Sequence, residues 1–167
     1  MNIKIRSRRE RGNSAVETGL IFLPLCLMIL GGFEIARGMW MYHTLTTAIK
    51  SGARFAMVHG ADCLAATATC TSTVAAIAKT IQTAGVGLEA GSVQLTLTSG
   101  AGAYACGNLN GCAGDDTQWP PAGNNAAGLP ISVSATYAFH SVLSSFWPGQ
   151  GSASINYLAK STEIIQF

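Results

Sequence analysis

From Thr18 to Phe33 the chain runs sixteen residues without a charge, dominated by Leu, Ile, Phe and Met. A membrane-spanning helix needs about 20 apolar residues, so this run spans a bilayer if Glu17 and Glu34 lie at or just inside its two boundaries. Glu34 and Arg37, three apart on a helix, are placed to pair. Phe33, Trp40 and Tyr42 supply the amphipathic rings that favour an outer interface. Beyond them Leu45, Ala48, Ile49, Gly52, Ala53 and Ala56 recur at helical spacing, with His43, Thr47, Lys50, Ser51 and Arg54 on other faces. The anchor helix is therefore predicted to continue as a stalk from Ser14 to His59, about 70 Å at 1.5 Å per residue, with Gly60 as its end. Pro24, Gly31 and Gly32 are the points where it can bend, and Gly52-Ala53 allows close helix approach.

A second helix follows from Val74, Ile77, Ala78, Ile81 and Ala84, with Thr71 or Ser72 as N-cap and Gly85 as terminator. Alternation at Val93, Leu95 and Leu97, then from Ile131 to Phe139, and again at Ile155, Tyr157 and Ala159 predicts about three strands. Loops rather than helices separate them, which favours antiparallel pairing. The fold class is α+β: a long N-terminal membrane-spanning helix entering a head in which a second helix packs on a small antiparallel sheet. The organisation reads as a basic leader at 1–12, an anchor and stalk helix at 13–60, and an extracytoplasmic head at 61–167. Gly100 to Leu129 is too long for a hairpin turn and reads as a loop. In it, Trp119 is expected to dock on the head, since a lone exposed Trp costs solubility. Phe146-Trp147-Pro148 reads as a hydrophobic lid.

Charge sharpens the topology. Five of the ten basic residues (Lys4, Arg6, Arg8, Arg9, Arg11) precede Gly12, along with only one of the eight acidic residues, which leaves five basic and seven acidic from Asn13 onward. The bulk is thus slightly acidic, which argues against a nucleic-acid partner. The basic cluster marks the cytoplasmic side of the anchor. Cleavage as a secretory signal is disfavoured, because the nearest small-x-small triplet, Ala36-Arg37-Gly38, follows Glu34. Lipidation at Cys26 is disfavoured by Leu25 before it.

A plain anchor explains the run and its flank but neither Gly12 nor Glu17, and an acidic residue at the edge of an apolar span is costly and usually functional. The stretch Arg11-Gly12-Asn13-Ser14-Ala15-Val16-Glu17 resembles the processing site of type IV prepilins. Pro24, seven residues after Glu17, and the small, basic stretch from Thr46 to Ala56 make it similar to the TadE/TadG-like pseudopilins of tight-adherence (Flp) pili. Thr18 departs from the pattern, standing where relatives often carry an aromatic residue.

The resemblance implies that prepilin peptidase cuts between Gly12 and Asn13, and that Glu17 and Pro24 serve processing and assembly. It also implies other pilins or pseudopilins, an inner-membrane assembly platform and the lipid bilayer as partners. The protein would be a single-pass bacterial inner-membrane protein, N-terminus cytoplasmic and head periplasmic, or extracellular once in a pilus. The chain is short for the large extra domain of the TadG branch, so a TadE- or TadF-type minor subunit is the expected match. A permanently anchored periplasmic binding module and a type II secretion pseudopilin are the alternatives.

Four cysteines, Cys63, Cys70, Cys106 and Cys112, lie beyond the anchor. An even set outside the cytoplasm points to disulfides, and pairing Cys63 with Cys70 and Cys106 with Cys112 closes two short loops. Without a C-x-x-C knuckle zinc is disfavoured, and no cofactor is expected. Catalysis is disfavoured too. His43 and His59 fall on the stalk, His140 ends a strand without a partner nucleophile in its neighbourhood, and no Ser sits in a G-x-S-x-G elbow. Asp115-Asp116 reads as a polar turn, and Gly85-Val86-Gly87 sits between helix and strand, the reverse of a dinucleotide site.

Overall fold

The computed structural model describes residues 7–60, 72–146 and 154–166. Helix α1 (Ser7–Met57) runs continuously through Pro24. It starts seven residues before the expected Ser14, because Arg8, Arg9, Glu10 and Arg11 are all strong helix formers. Its two halves have different surroundings. Leu20, Ile21, Phe22, Leu23, Met28 and Phe33 are exposed, whereas Leu45, Ala48, Ile49, Ala53 and Ala56 are fully buried. The first half is bare apolar surface, and the second half is part of the core of the head.

Helix α2 (Val74–Ala84) buries Val74, Ala75, Ile77, Ala78 and Ile81. Its cap is Thr73, one residue beyond the expected Ser72, and the reason lies in where the first-turn N–H groups go. These groups have no partner within a helix. Here Val74 N–H donates to the Thr117 carbonyl at 2.9 Å and Ala75 N–H to the Asp115 carbonyl at 2.7 Å. Ala76 N–H reaches the Thr73 hydroxyl at 3.2 Å, and Ile77 N–H reaches the Thr73 carbonyl at 3.1 Å. Ser72 is used differently, its hydroxyl donating to the Trp119 carbonyl. The helix start is thereby sewn to a segment forty or more residues away in sequence.

Four antiparallel strands, one more than expected, form a sheet in the order β2-β1-β3-β4. They are β1 (Val93–Ser99), β2 (Gly102–Cys106), β3 (Pro130–His140) and β4 (Ser154–Ile164). The extra strand β2 lies in the stretch read as loop. Only Tyr104 and Cys106 turn inward there, too short an alternation for the pattern to reveal. The same stretch holds α3, the single turn Leu109–Cys112, capped by the Asn108 side chain. Trp119 docks as expected, at 3 % exposed. Trp147 and Pro148 of the expected lid lie outside the described residues. Phe146 closes a 3₁₀ turn, Val142–Phe146.

Val93, Leu95 and Leu97 on β1 face inward with Ile131, Val133, Ala135, Tyr137 and Phe139 on β3. Helix α1 lies against β3 and β4, and α2 packs on α1 with its buried residues in the same core. Gly52 brings α1 against α2, for a β-carbon there would stand 2.6 Å from Ile81 Cγ1. Strand β4 follows α1 closely. A β-carbon at Gly38 would lie 2.7 Å from the Tyr157 hydroxyl, and Gln166 N–H donates to the Met57 carbonyl at 3.0 Å. Nineteen helical steps between Gly38 and Met57 cover about 28 Å, and nine extended steps from Tyr157 to Gln166 about 30 Å. Helix and strand therefore run alongside each other, in the same direction, for the whole height of the head.

The expected Cys106–Cys112 disulfide is present, closing a short loop between β2 and α3. Cys63 and Cys70 lie outside the described residues. Replacing Cys106 and Cys112 together by Ala should cost about 2 kcal/mol in chain entropy for a loop this small. The head should then melt about 10 °C lower, as read by circular dichroism on the detergent-solubilised chain. An unchanged melting temperature would mean the link does not restrain the unfolded chain.

Candidate functional site

Three regions hold the residues on which a function can rest: the bare half of α1, a collar where α1 meets the head, and the distal end of the sheet.

The bare half begins on the helical backbone at Gly12 and Asn13. Glu17, on the next turn, is exposed. It takes no part in the ion pair found among the described residues, which is Glu34–Arg37. Thr18, one residue on, turns its hydroxyl back to the Ser14 carbonyl at 2.9 Å, so its polar atom is satisfied locally inside an apolar run. Pro24 is part of the helix interior. Proline there has no N–H to give to the Leu20 carbonyl, which loosens the helix at that turn. This segment is one helix long and apolar enough to cross a membrane, with none of its apolar stretch buried by the rest of the chain. It has the character of a single-pass membrane anchor.

At the collar, Arg37 holds several partners at once. Its Nη2 donates to Glu34 Oε2 at 3.1 Å and to the His140 carbonyl at the end of β3 at 2.7 Å. Its guanidinium carbon lies 4.6 Å from the centre of the Phe139 ring, a cation–π distance. Tyr157 packs on Phe139 at 5.6 Å and meets Tyr42 edge-on at 5.8 Å. The arrangement neutralises two charges at the foot of the head and fixes the angle at which the anchor enters it. The i, i+3 spacing of Glu34 and Arg37 was readable from the sequence. Phe139 and Tyr157 as their aromatic floor were not, because their strands meet α1 only in the folded head.

At the distal end, Tyr104 donates its hydroxyl to Asp115, and Asp115 also accepts the Thr117 N–H at 3.0 Å. Thr117 and then Tyr104 hold the Asp115 carboxyl below its usual range. The same carboxylate pushes the Tyr104 phenol up. Asp115 thus organises the turn that receives the start of α2, and Asp116 beside it is exposed.

The groups available for proton chemistry do not converge. His43 lies on α1, and His59 stacks on Phe55 with Nδ1 2.7 Å from the Phe55 carbonyl. His140 ends β3. Among the described residues no three His, Cys, Asp or Glu side chains gather where they would hold a metal ion. Cys26 is a free thiol on the anchor.

Residues 12–54, from the glycine through the bare half of α1 and most of its buried half, match the family model of TadE-like proteins. Neither the curated proteins nor the solved structures compared with the chain give a match.

Proposed function

We propose, from the TadE-like segment at residues 12–54, that the chain is a minor pilin-like subunit of a tight-adherence pilus, a structural component rather than an enzyme. The observation that carries this reading is the coincidence of the segment with a single helix, half bare and apolar, half locked into a head. Such a helix is held by lipid before assembly and by neighbouring helices afterwards, without any change in the head.

In this reading prepilin peptidase cuts after Gly12. Glycine is the weakest helix former after proline, so the backbone opens there to enter a cleft at low cost. The cut leaves an ammonium group on Asn13, four residues before Glu17. That spacing puts the carboxylate on the same face one turn away, where it neutralises the new charge or the corresponding charge on an adjacent subunit. The basic leader keeps the cut on the cytoplasmic side, and the head folds in the periplasm, where the Cys106–Cys112 disulfide persists.

Intact mass and N-terminal sequencing of the membrane-extracted protein, produced with and without prepilin peptidase, test the proposal. The expected result is a chain starting at Asn13 only when the peptidase is present. A chain that keeps its leader in both preparations would overturn processing and favour a permanently anchored periplasmic module.

A further inference from the structure

Part of the head reaches below the collar. The turn Val142–Phe146 packs on α1 beside Leu30, Phe33, Glu34 and Arg37, and Val142 and Leu143 share with them a cleft of about 340 Å³. Val142 is nevertheless 56 % exposed. An apolar residue facing outward at this height invites the question of what solvent it faces.

The anchor sets the height. A hydrocarbon core of about 30 Å takes about 20 helical residues, and counting from Glu17 brings its outer boundary to the level of Arg37. Leu30 lies seven residues deeper, about 10 Å at 1.5 Å per residue. A turn packed beside Leu30 and Phe33 is therefore below the outer boundary of the bilayer that holds them. Nothing charged resists that position. From Thr117 to Ala159 the sequence has no Asp, Glu, Lys or Arg, and the charges of Glu34 and Arg37 are paired at 3.1 Å. Ile155, at the foot of β4, is exposed in the groove that Ile35 and Met39 line on α1, so the apolar surface continues around the base.

We propose that the foot of the head is itself a lipid-binding surface. Val142 and Leu143 enter the outer leaflet beside the anchor helix, with Ile155 at its rim, and the head is held against the bilayer at a fixed height. Two elements far apart in sequence then meet the lipid, the anchor and the turn after β3. Leaving the membrane requires stripping both. The proposal rests on α1 being a membrane anchor and is independent of cutting at Gly12.

Photo-crosslinking of the full chain in vesicles of phosphatidylcholine and phosphatidylglycerol tests it. p-Benzoylphenylalanine is placed at position 142, at 30 on the anchor, or at 98. Thr98 pairs with Ser132, eight strand residues and about 26 Å above His140. After irradiation, intact mass should show the gain of a lipid at 142 and at 30 and none at 98. The proposal is overturned if 142 stays unlabelled while 30 is labelled, or if 142 crosslinks to a second copy of the chain instead of lipid. Absence of lipid on 30 as well would remove the anchor reading and this proposal with it.

Discussion

Replacing Glu17 by Ala should leave the protein inserted in the membrane at its normal level while lowering its incorporation into sheared pili by about tenfold or more. Insertion is expected to survive because a carboxylate, which costs about 2.5–3.5 kcal/mol at the centre of a membrane helix and less at its edge, opposes insertion, so removing it does not weaken the anchor. In the proposed route, where the chain is cut after Gly12, assembly is expected to fail because the new Asn13 ammonium, drawn into a bundle of apolar helices, loses its countercharge. A tenfold loss corresponds to about 1.4 kcal/mol, less than a single desolvated charge pair can contribute. Glu17→Gln keeps the shape and loses the charge, so it should fail equally. Immunoblotting of membrane and sheared-pilus fractions reads the result, and wild-type amounts of either variant in pili would remove Glu17 from the assembly mechanism.

Gly52→Val should destabilise the head by about 1–3 kcal/mol through overpacking, lowering its melting temperature by about 5–15 °C. The β-carbon would stand 2.6 Å and 2.8 Å from Ile81 Cγ1 and Cδ1, and 3.5 Å from Ile77 Cγ2. Ile77 and Ile81 are themselves fully buried, so neither has room to turn away. Gly32→Val provides the contrast, since a β-carbon there meets nothing within 4 Å, and it should leave the melting temperature of the head unchanged. Circular dichroism melts of the solubilised chain distinguish the two. Equal melting temperatures for both variants would mean that α1 and α2 do not meet at Gly52.

Much of this architecture was legible along the chain because it depends on local periodicity. Leu45 to Ala56 announced a helix with one buried stripe, and the alternation from Ile131 to Phe139 announced a central strand. The bounds of α2 were readable from Val74 and Gly85. Its cap was not, since the choice of Thr73 depends on carbonyls of Asp115 and Thr117 that only the folded chain brings near. Strand β2 escaped because Tyr104 and Cys106 alone carry its alternation within a run of Gly and Ala. The candidate site divides the same way. Gly12, Glu17 and Pro24 are a motif in one dimension, and the helix places them on one element. The collar joins Arg37 to Phe139 and His140, and Tyr42 to Tyr157, across a hundred residues or more, and no local pattern encodes that meeting.

The side-by-side course of α1 and β4 has a mechanical consequence. In the proposed role as a pilus subunit, tension would enter through the N-terminal half of α1 and reach the head along the helix axis. Because Gly38 to Met57 is flanked along its length by β4, with contacts at Tyr157 at one end and Gln166 at the other, that load is applied in shear. Shear strains all of these contacts together, whereas peeling would break them one at a time. The head is built so that pulling on its anchor meets the resistance of the whole interface at once.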